Sequence, residues 1–245
     1  MKLKNKIALI SGSSRGIGKS IAEKFHSEGA FVIITYKNNQ KLAKNLSKKL
    51  NNSMVIKLDI SSKSSIQNAI KLILKKFDRI DILVNNAGIN KPTDFEKIQE
   101  RDWNLILNTN LKGPFLLSQQ IFPMMKKQKF GRIINISSVS GQYGGPRTVH
   151  YAVSKAGLIS LGHCLSRFGS KYNITVNNIS PGIIETEMSK DVMKSKTGSK
   201  ILENILLKRS GKPSDVSNLA VFLASDESSY ITGQTYNVNG GLIFS

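Results

Sequence analysis

Short apolar runs alternate along the chain with longer segments whose apolar residues fall at helical spacing. The runs cover residues 6–11, 31–35, 54–58, 81–84, 132–136, 174–178 and 234–238. Nearly all are continuous aliphatic stretches rather than in–out alternations, the pattern of strands covered on both faces. Helix-period segments lie at 16–28, 40–50, 62–76, 100–127, 150–172 and 213–224. Strand alternating with helix predicts repeated βαβ units. The expected fold is therefore α/β: a Rossmann-type, doubly wound parallel sheet of about seven strands with helices on both faces, in one domain over 1–245. The stretch 185–208 is polar with a helical tail (Ile201, Leu202, Ile205, Leu206) and is expected to be a substrate lid.

Composition narrows this picture. At 245 residues the length suits one α/β domain. No apolar run approaches the ~20 residues of a membrane span, so no membrane role is expected. The start, Met1-Lys2-Leu3-Lys4-Asn5-Lys6, lacks the apolar core of a signal peptide, which points to the cytoplasm. One cysteine, Cys164, excludes a disulfide framework and a cysteine-rich zinc site, and no metal is expected. The net charge of +20 raises the question of an anionic partner. However, 29 of the 36 basic residues are Lys, scattered through a chain that also holds 21 Asn. Nucleic-acid binders group their cations and favour Arg forks, so a solvated surface is the simpler reading and no nucleic acid is expected.

Ligands of such sheets bind outside the carboxyl ends of the strands. The first strand runs into Gly12-Ser13-Ser14-Arg15-Gly16-Ile17-Gly18 and then a helix. Glycines there let the backbone turn sharply and bring the helix N-terminus against a pyrophosphate. The second strand ends at Thr35-Tyr36-Lys37, without the Asp or Glu that would bind a ribose 2′-hydroxyl. Arg15 and Lys37 instead place positive charge for a 2′-phosphate, so the cofactor expected is NADP(H) rather than NAD.

Tyr151 and Lys155 are four residues apart and share a helix face. A close cation favours the phenolate, so the pair suits proton exchange with a substrate oxygen. By itself the spacing means little in a chain with six Tyr and 29 Lys. It gains weight from Ser138, at the end of the strand Arg132–Ile136 and 13 residues before Tyr151. Asn85-Asn86-Ala87-Gly88 ends another strand, Asn110 stands inside a helical segment, and Pro181-Gly182-Ile183-Ile184-Glu185-Thr186 follows the sixth strand. Asn is a poor helix former unless it serves a special purpose.

With these motifs in this order, the chain resembles the short-chain dehydrogenase/reductase family from Gly12 to Gly241, and within it the bacterial 3-oxoacyl-[acyl-carrier-protein] reductases. The resemblance implies a ketoreductase of fatty acid biosynthesis in which Tyr151 donates a proton as hydride reaches the carbonyl carbon. It implies that Ser138 aligns the carbonyl oxygen, Lys155 lowers the Tyr151 pKa and holds the nicotinamide ribose, and Asn110 holds a relay water. Asp59 and Ile60 resemble the adenine contact, and Asn86, Ala87 and Gly88 the adjoining ribose wall. Pro181, Gly182, Ile184 and Thr186 resemble the nicotinamide contacts. A homotetramer is implied, as is docking of acyl carrier protein on the basic stretches 126–129 and Lys171-Tyr172.

The segment 144–150 departs from the reductase pattern, with Arg147 and His150 as unusual residues; His150 reads as structural or as a substrate contact. His26, His163, Cys164 and Trp103 read as structural. Two other functions fit the scaffold: a reductase for a sugar, polyol or secondary-metabolite ketone, and a basic binding or regulatory protein. The joint presence of Asn110, Ser138, Tyr151 and Lys155 argues against the last, because binding needs none of them.

Overall fold

In a computed structural model, which describes residues 1–145 and 147–244, each apolar run becomes a strand of one parallel sheet. The strands are β1 (Ile7–Ile10), β2 (Phe31–Tyr36), β3 (Ser53–Lys57), β4 (Ile82–Asn85), β5 (Gly131–Ile136), β6 (Ile174–Pro181) and β7 (Thr235–Val238). Their order is β3-β2-β1-β4-β5-β6-β7. The chain order reverses between β1 and β4, which opens a crevice at their carboxyl ends. The central strands β1, β4, β5 and β6 are buried throughout, which is why their sequences lack alternation.

The helices are α1 (Gly16–Ser27), α2 (Gln40–Lys49), α3 (Lys63–Leu74), α4 (Glu100–Leu107), α5 (Gly113–Gln128), α6 (Ser140–Tyr143), α7 (Val149–Gly169), α8 (Lys190–Met193), α9 (Lys196–Asn204) and α10 (Pro213–Ala224). Two apolar layers result. Ile21 and Phe25 of α1 pack with Val216 and Ala220 of α10 on one face. Ile66 and Ile73 of α3 pack with Leu117 and Ile121 of α5 on the other.

The single helix expected over 100–127 is divided. Between α4 and α5 the residues Asn108–Lys112 form a π-helical turn, in which the Gly113 N–H reaches back to the Asn108 carbonyl. Pro114 has no N–H to give the carbonyl four residues earlier, that of Asn110, so the regular ladder cannot pass this point. Gly113 also lies against the Ile60 carbonyl, where a Cβ would come within 2.6 Å of the oxygen. The widened turn carries Asn110.

A buried polar row crosses the same half of the sheet. Asn85, Asn135, Asn178 and Thr235 stand opposite one another on β4, β5, β6 and β7. The Asn85 amide donates to Asn135 Oδ1 at 2.9 Å, Asn135 to Asn178 Oδ1 at 3.0 Å, and Asn178 to Thr235 Oγ1 at 3.1 Å. The segment 185–208 contains α8 and α9, and its base is tied by a bridge between Ile184 and Gly211. Pro146, in the departing loop, lies outside the described residues.

Candidate active site

The glycine loop leaves β1 at the reversal point. Gly12 and Gly16 take positive φ values of 66° and 57°, a region that only glycine enters cheaply. A Cβ on Gly18 would lie 2.4 Å from the Asn86 side chain and 2.5 Å from the Gly12 carbonyl. The loop is also pinned by hydroxyls, of which the sequence singled out Ser13 but not Ser11 or Thr35. Thr35 Oγ1 accepts the Gly12 N–H at 2.8 Å, and buried Ser13 accepts the Thr35 N–H at 2.8 Å. Ser11 Oγ accepts the N–H groups of Asn86 and Ala87, both at 3.0 Å, which binds Asn86, Ala87 and Gly88 to the loop. Ser14 and Ile17 are partly buried in the same turn.

A dinucleotide fits this cradle. No side chain caps α1 and no acidic residue occupies its first turn, so its positive end is available to an anion. Both cations assigned to a 2′-phosphate carry carboxylate partners. Arg15 pairs with Glu187 at 2.5 Å, and Lys37 pairs with Asp59 at 2.9 Å. Burial pushes the Asp59 carboxyl upward, but hydrogen bonds from Ser61 and Lys37 outweigh it and hold the pKa below its ordinary value. Ile60 is buried beside Asp59. Across the crevice, Thr186 stands 3.5 Å from where a Gly16 Cβ would be, so the loop after β6 faces the glycine loop. Pro181 and Gly182 end β6 there, and Ile184 is buried.

The two hydroxyls that the sequence assigned to catalysis lie on the α7 side. Ser138 follows β5, and its hydroxyl acts on the Tyr151 phenol, favouring its ionised form. Burial raises the phenol above its ordinary pKa, with the Ser138 contact offsetting part of the rise. Lys155 is buried, and burial lowers its ammonium to about 8. Its Nζ donates to the Ile136 carbonyl at 2.6 Å and lies 5.7 Å from the centre of the Tyr151 ring. This differs from the expectation of a phenol lowered by its lysine. The cation points to main chain rather than to the hydroxyl, so desolvation prevails and Tyr151 stays protonated at neutral pH.

Asn110 is fully buried. Its Oδ1 accepts the Ile89 N–H at 2.9 Å, and its amide donates to the Ile89 carbonyl and to Ser154 Oγ. Ser154, within the Tyr151–Lys155 turn, passes its own proton to the Tyr151 carbonyl at 2.7 Å. A Cβ on Gly88 would sit 3.3 Å from Asn110 Oδ1 and 3.5 Å from Lys155 Nζ, so the three share one pocket. The arrangement thus presents a protonated phenol, a neighbouring hydroxyl and a buried ammonium beside a cradle that a dinucleotide fits. Among the described residues no group of three His, Cys, Asp or Glu side chains is placed to hold a metal ion.

Fold and site together define an oxidoreductase. The chain belongs to the short-chain dehydrogenase/reductase family, whose members depend on a nicotinamide dinucleotide; the family model, described as enoyl-(acyl carrier protein) reductase, matches residues 12–243. Among curated relatives, the 3-oxoacyl-[acyl-carrier-protein] reductase FabG of Thermotoga maritima is 40% identical, covering 99% of this chain and 100% of its own. The protein of the same name from Aquifex aeolicus is 41% identical, covering 99% of each. A crystal structure of a putative gluconate dehydrogenase from Agrobacterium tumefaciens superposes with a TM-score of 0.96 at 28% identity, covering 98% of this chain and 97% of the other.

Proposed function

We propose that the protein reduces the ketone of a 3-oxoacyl group carried by acyl carrier protein to the secondary alcohol, using NADPH, in fatty acid biosynthesis. The observation that carries this reading is a phenol that burial keeps protonated, with Lys155 Nζ 5.7 Å from its ring centre and the Ser138 hydroxyl acting on it. The dinucleotide, when bound, supplies the hydride. Tyr151 gives its phenolic proton to the carbonyl oxygen, so the Tyr151 O–H bond breaks as the alcohol O–H bond forms. Ser138 orients that oxygen and stabilises its developing charge. Lys155 steadies the phenolate left behind, and Asn110, tied to Ser154 in the same turn, keeps the pocket in shape while a water in it returns the proton from solvent.

Gly12, Ser13, Ser14, Gly16, Ile17 and Gly18 would hold the pyrophosphate end, with Asp59, Ile60, Asn86, Ala87 and Gly88 around the adenosine. Pro181, Gly182, Ile184 and Thr186 would flank the nicotinamide. Arg15 and Lys37 would take the 2′-phosphate by exchanging Glu187 and Asp59 for it. The segment 185–208 serves as the lid. The cytoplasmic location expected from the sequence goes with this reading, and no helix among the described residues is long and apolar enough to cross a membrane.

Two surfaces support the partners. Lys126 and Lys171 both lie over the Tyr172 ring, at 4.6 and 5.2 Å, which joins the two basic stretches into one patch suited to an acidic carrier protein. Apolar side chains are exposed on α4, α5 and α7 (Leu105, Phe115, Val153, Phe168) and, elsewhere, at Leu206, Leu207, Tyr230 and Phe244. Exposed apolar side chains of this kind suit burial between the subunits of a homotetramer of dihedral symmetry.

The test is turnover of acetoacetyl-carrier protein, a small acetoacetyl thioester, sugars and diketones with NADPH, followed at the nicotinamide absorbance. Lys129→Glu with Lys171→Glu is expected to raise KM for the carrier-protein substrate about tenfold or more at low salt and to leave the small thioester unchanged. Absence of 3-oxoacyl turnover by NADPH-binding protein, with a sugar or diketone reduced instead, overturns the substrate assignment.

A further inference from the structure

The first turn of α7 is capped in an unusual way. A helix leaves its first N–H groups without carbonyl partners, and the N-cap side chain ordinarily accepts one of them. Here the Ala152 N–H reaches the Thr148 carbonyl at 2.7 Å, but the Thr148 side chain caps nothing, and its buried Oγ1 has no partner. The Tyr151 N–H goes instead to Nδ1 of His150, at 3.1 Å. An imidazole nitrogen accepts only while it carries no proton, so the ring proton must be on Nε2. That atom is buried without a partner, and His150 has no exposed surface.

We propose that His150 is a positioning residue for the reaction: it caps the helix bearing Tyr151 and Lys155, and its protonation removes the cap and disables the site. This rests on Tyr151 being the proton donor. Protonated, Nδ1 would point an N–H at the Tyr151 N–H, donor against donor. It would also add positive charge to the positive end of α7. The groups that act on the ring from outside its helix are Asp102 of α4, which favours the cation, and Lys91 of the loop after β4, which opposes it. Lys91 and Asp102 hold each other at 2.7 Å, so neither charge acts alone. From its own helix the ring meets the Tyr151 main-chain N–H. Burial is the largest influence and lowers the histidine below its ordinary value, so the cap is intact at neutral pH and is lost in acid.

The experiment combines the pH profile of kcat with backbone amide exchange at Tyr151, measured on the full-length protein. Wild type is expected to lose activity in acid, below the ordinary histidine range, while exchange at Tyr151 quickens beyond the intrinsic pH trend. His150→Asn supplies an amide oxygen that accepts without titrating; it should keep near-normal kcat at neutral pH and lose the acid inflection. His150→Leu should hold kcat about fivefold below the neutral wild-type value and show no acid inflection, with KM for NADPH unchanged. An acid limb that persists in His150→Asn, or Tyr151 exchange unaltered in His150→Leu, overturns the proposal. If His150→Leu does not fold, the Asn variant decides alone. The exchange readout stands apart from turnover, so a mistaken proton donor would show in activity and leave the capping result intact.

Discussion

The cofactor side of the crevice, from Gly12 across to Thr186, is made chiefly of main chain, small hydroxyls and exposed ion pairs. The side around Tyr151 is made of buried side chains. On the first, Arg15–Glu187 and Lys37–Asp59 are screened by water, and each pair contributes little by itself. On the second, desolvation moves Tyr151 and Lys155 in opposite directions away from their ordinary values. On the proposed reading, binding is spread over many weak or steric contacts, while chemistry is concentrated in a few groups whose surroundings set their protonation.

Substitutions should respect that division. Tyr151→Phe keeps the ring and removes the proton, so kcat should fall by roughly 10²–10⁴-fold with NADPH affinity nearly unchanged. Steady-state kinetics beside a fluorescence titration would separate the two, and near-normal turnover would refute the donor assignment. On the other side, Gly18→Ala forces a methyl into the Asn86 side chain and the Gly12 carbonyl. NADPH affinity should drop about tenfold or more, consistent with overpacking costs of ~1–3 kcal/mol, and titration would show it.

Lys155 offers a sharper contrast, because its two effects run against each other. With the folded value lowered from 10.5 to about 8, the unfolded chain binds more protons between those values. The contribution of this group to stability therefore rises with pH across that window. Reduction should fall over the same range as the ammonium is lost. Tm and kcat/KM measured from pH 7 to 10 should diverge, and Lys155→Met should remove the divergence.

The smallest effects belong to the exposed cations. Removing Arg15 or Lys37 should reduce the preference for NADPH over NADH by about tenfold each. Glu187→Gln should improve NADPH binding by only about twofold, as an exposed pair allows. Unchanged specificity constants in all three variants would show that the 2′-phosphate lies elsewhere.

Much of this division was legible in the residues. The strand runs at 31–35 and 132–136 reappear as Phe31–Tyr36 and Gly131–Ile136, because a doubly covered strand leaves an uninterrupted aliphatic run. The glycine spacing was legible because its constraint is local and steric. The π turn around Asn110 was not: apolar spacing does not register one extra residue per turn, although Gly113-Pro114 was a signal for it. The Arg15–Glu187 pair joins residues 172 apart, and no local pattern anticipates it. The direction of Lys155 was also hidden, since four-residue spacing gives a shared face but not the acceptor that the ammonium chooses.

The row Asn85–Asn135–Asn178–Thr235 bears on how the protein reaches this structure. Its links join residues 50, 43 and 57 positions apart, each supplied by a different βαβ unit. A strand that slips by one residue turns its amide to the opposite face, and a buried amide without a partner costs about 1–3 kcal/mol. Aliphatic strands such as β4 and β5 are otherwise nearly interchangeable in a growing sheet, since one oily ridge fits another. The amide row acts as a proofreader for that assembly: only the order β4-β5-β6-β7, in one register, completes it. The strand ends that present Asn86 and Ser138 are thereby aligned before any ligand arrives.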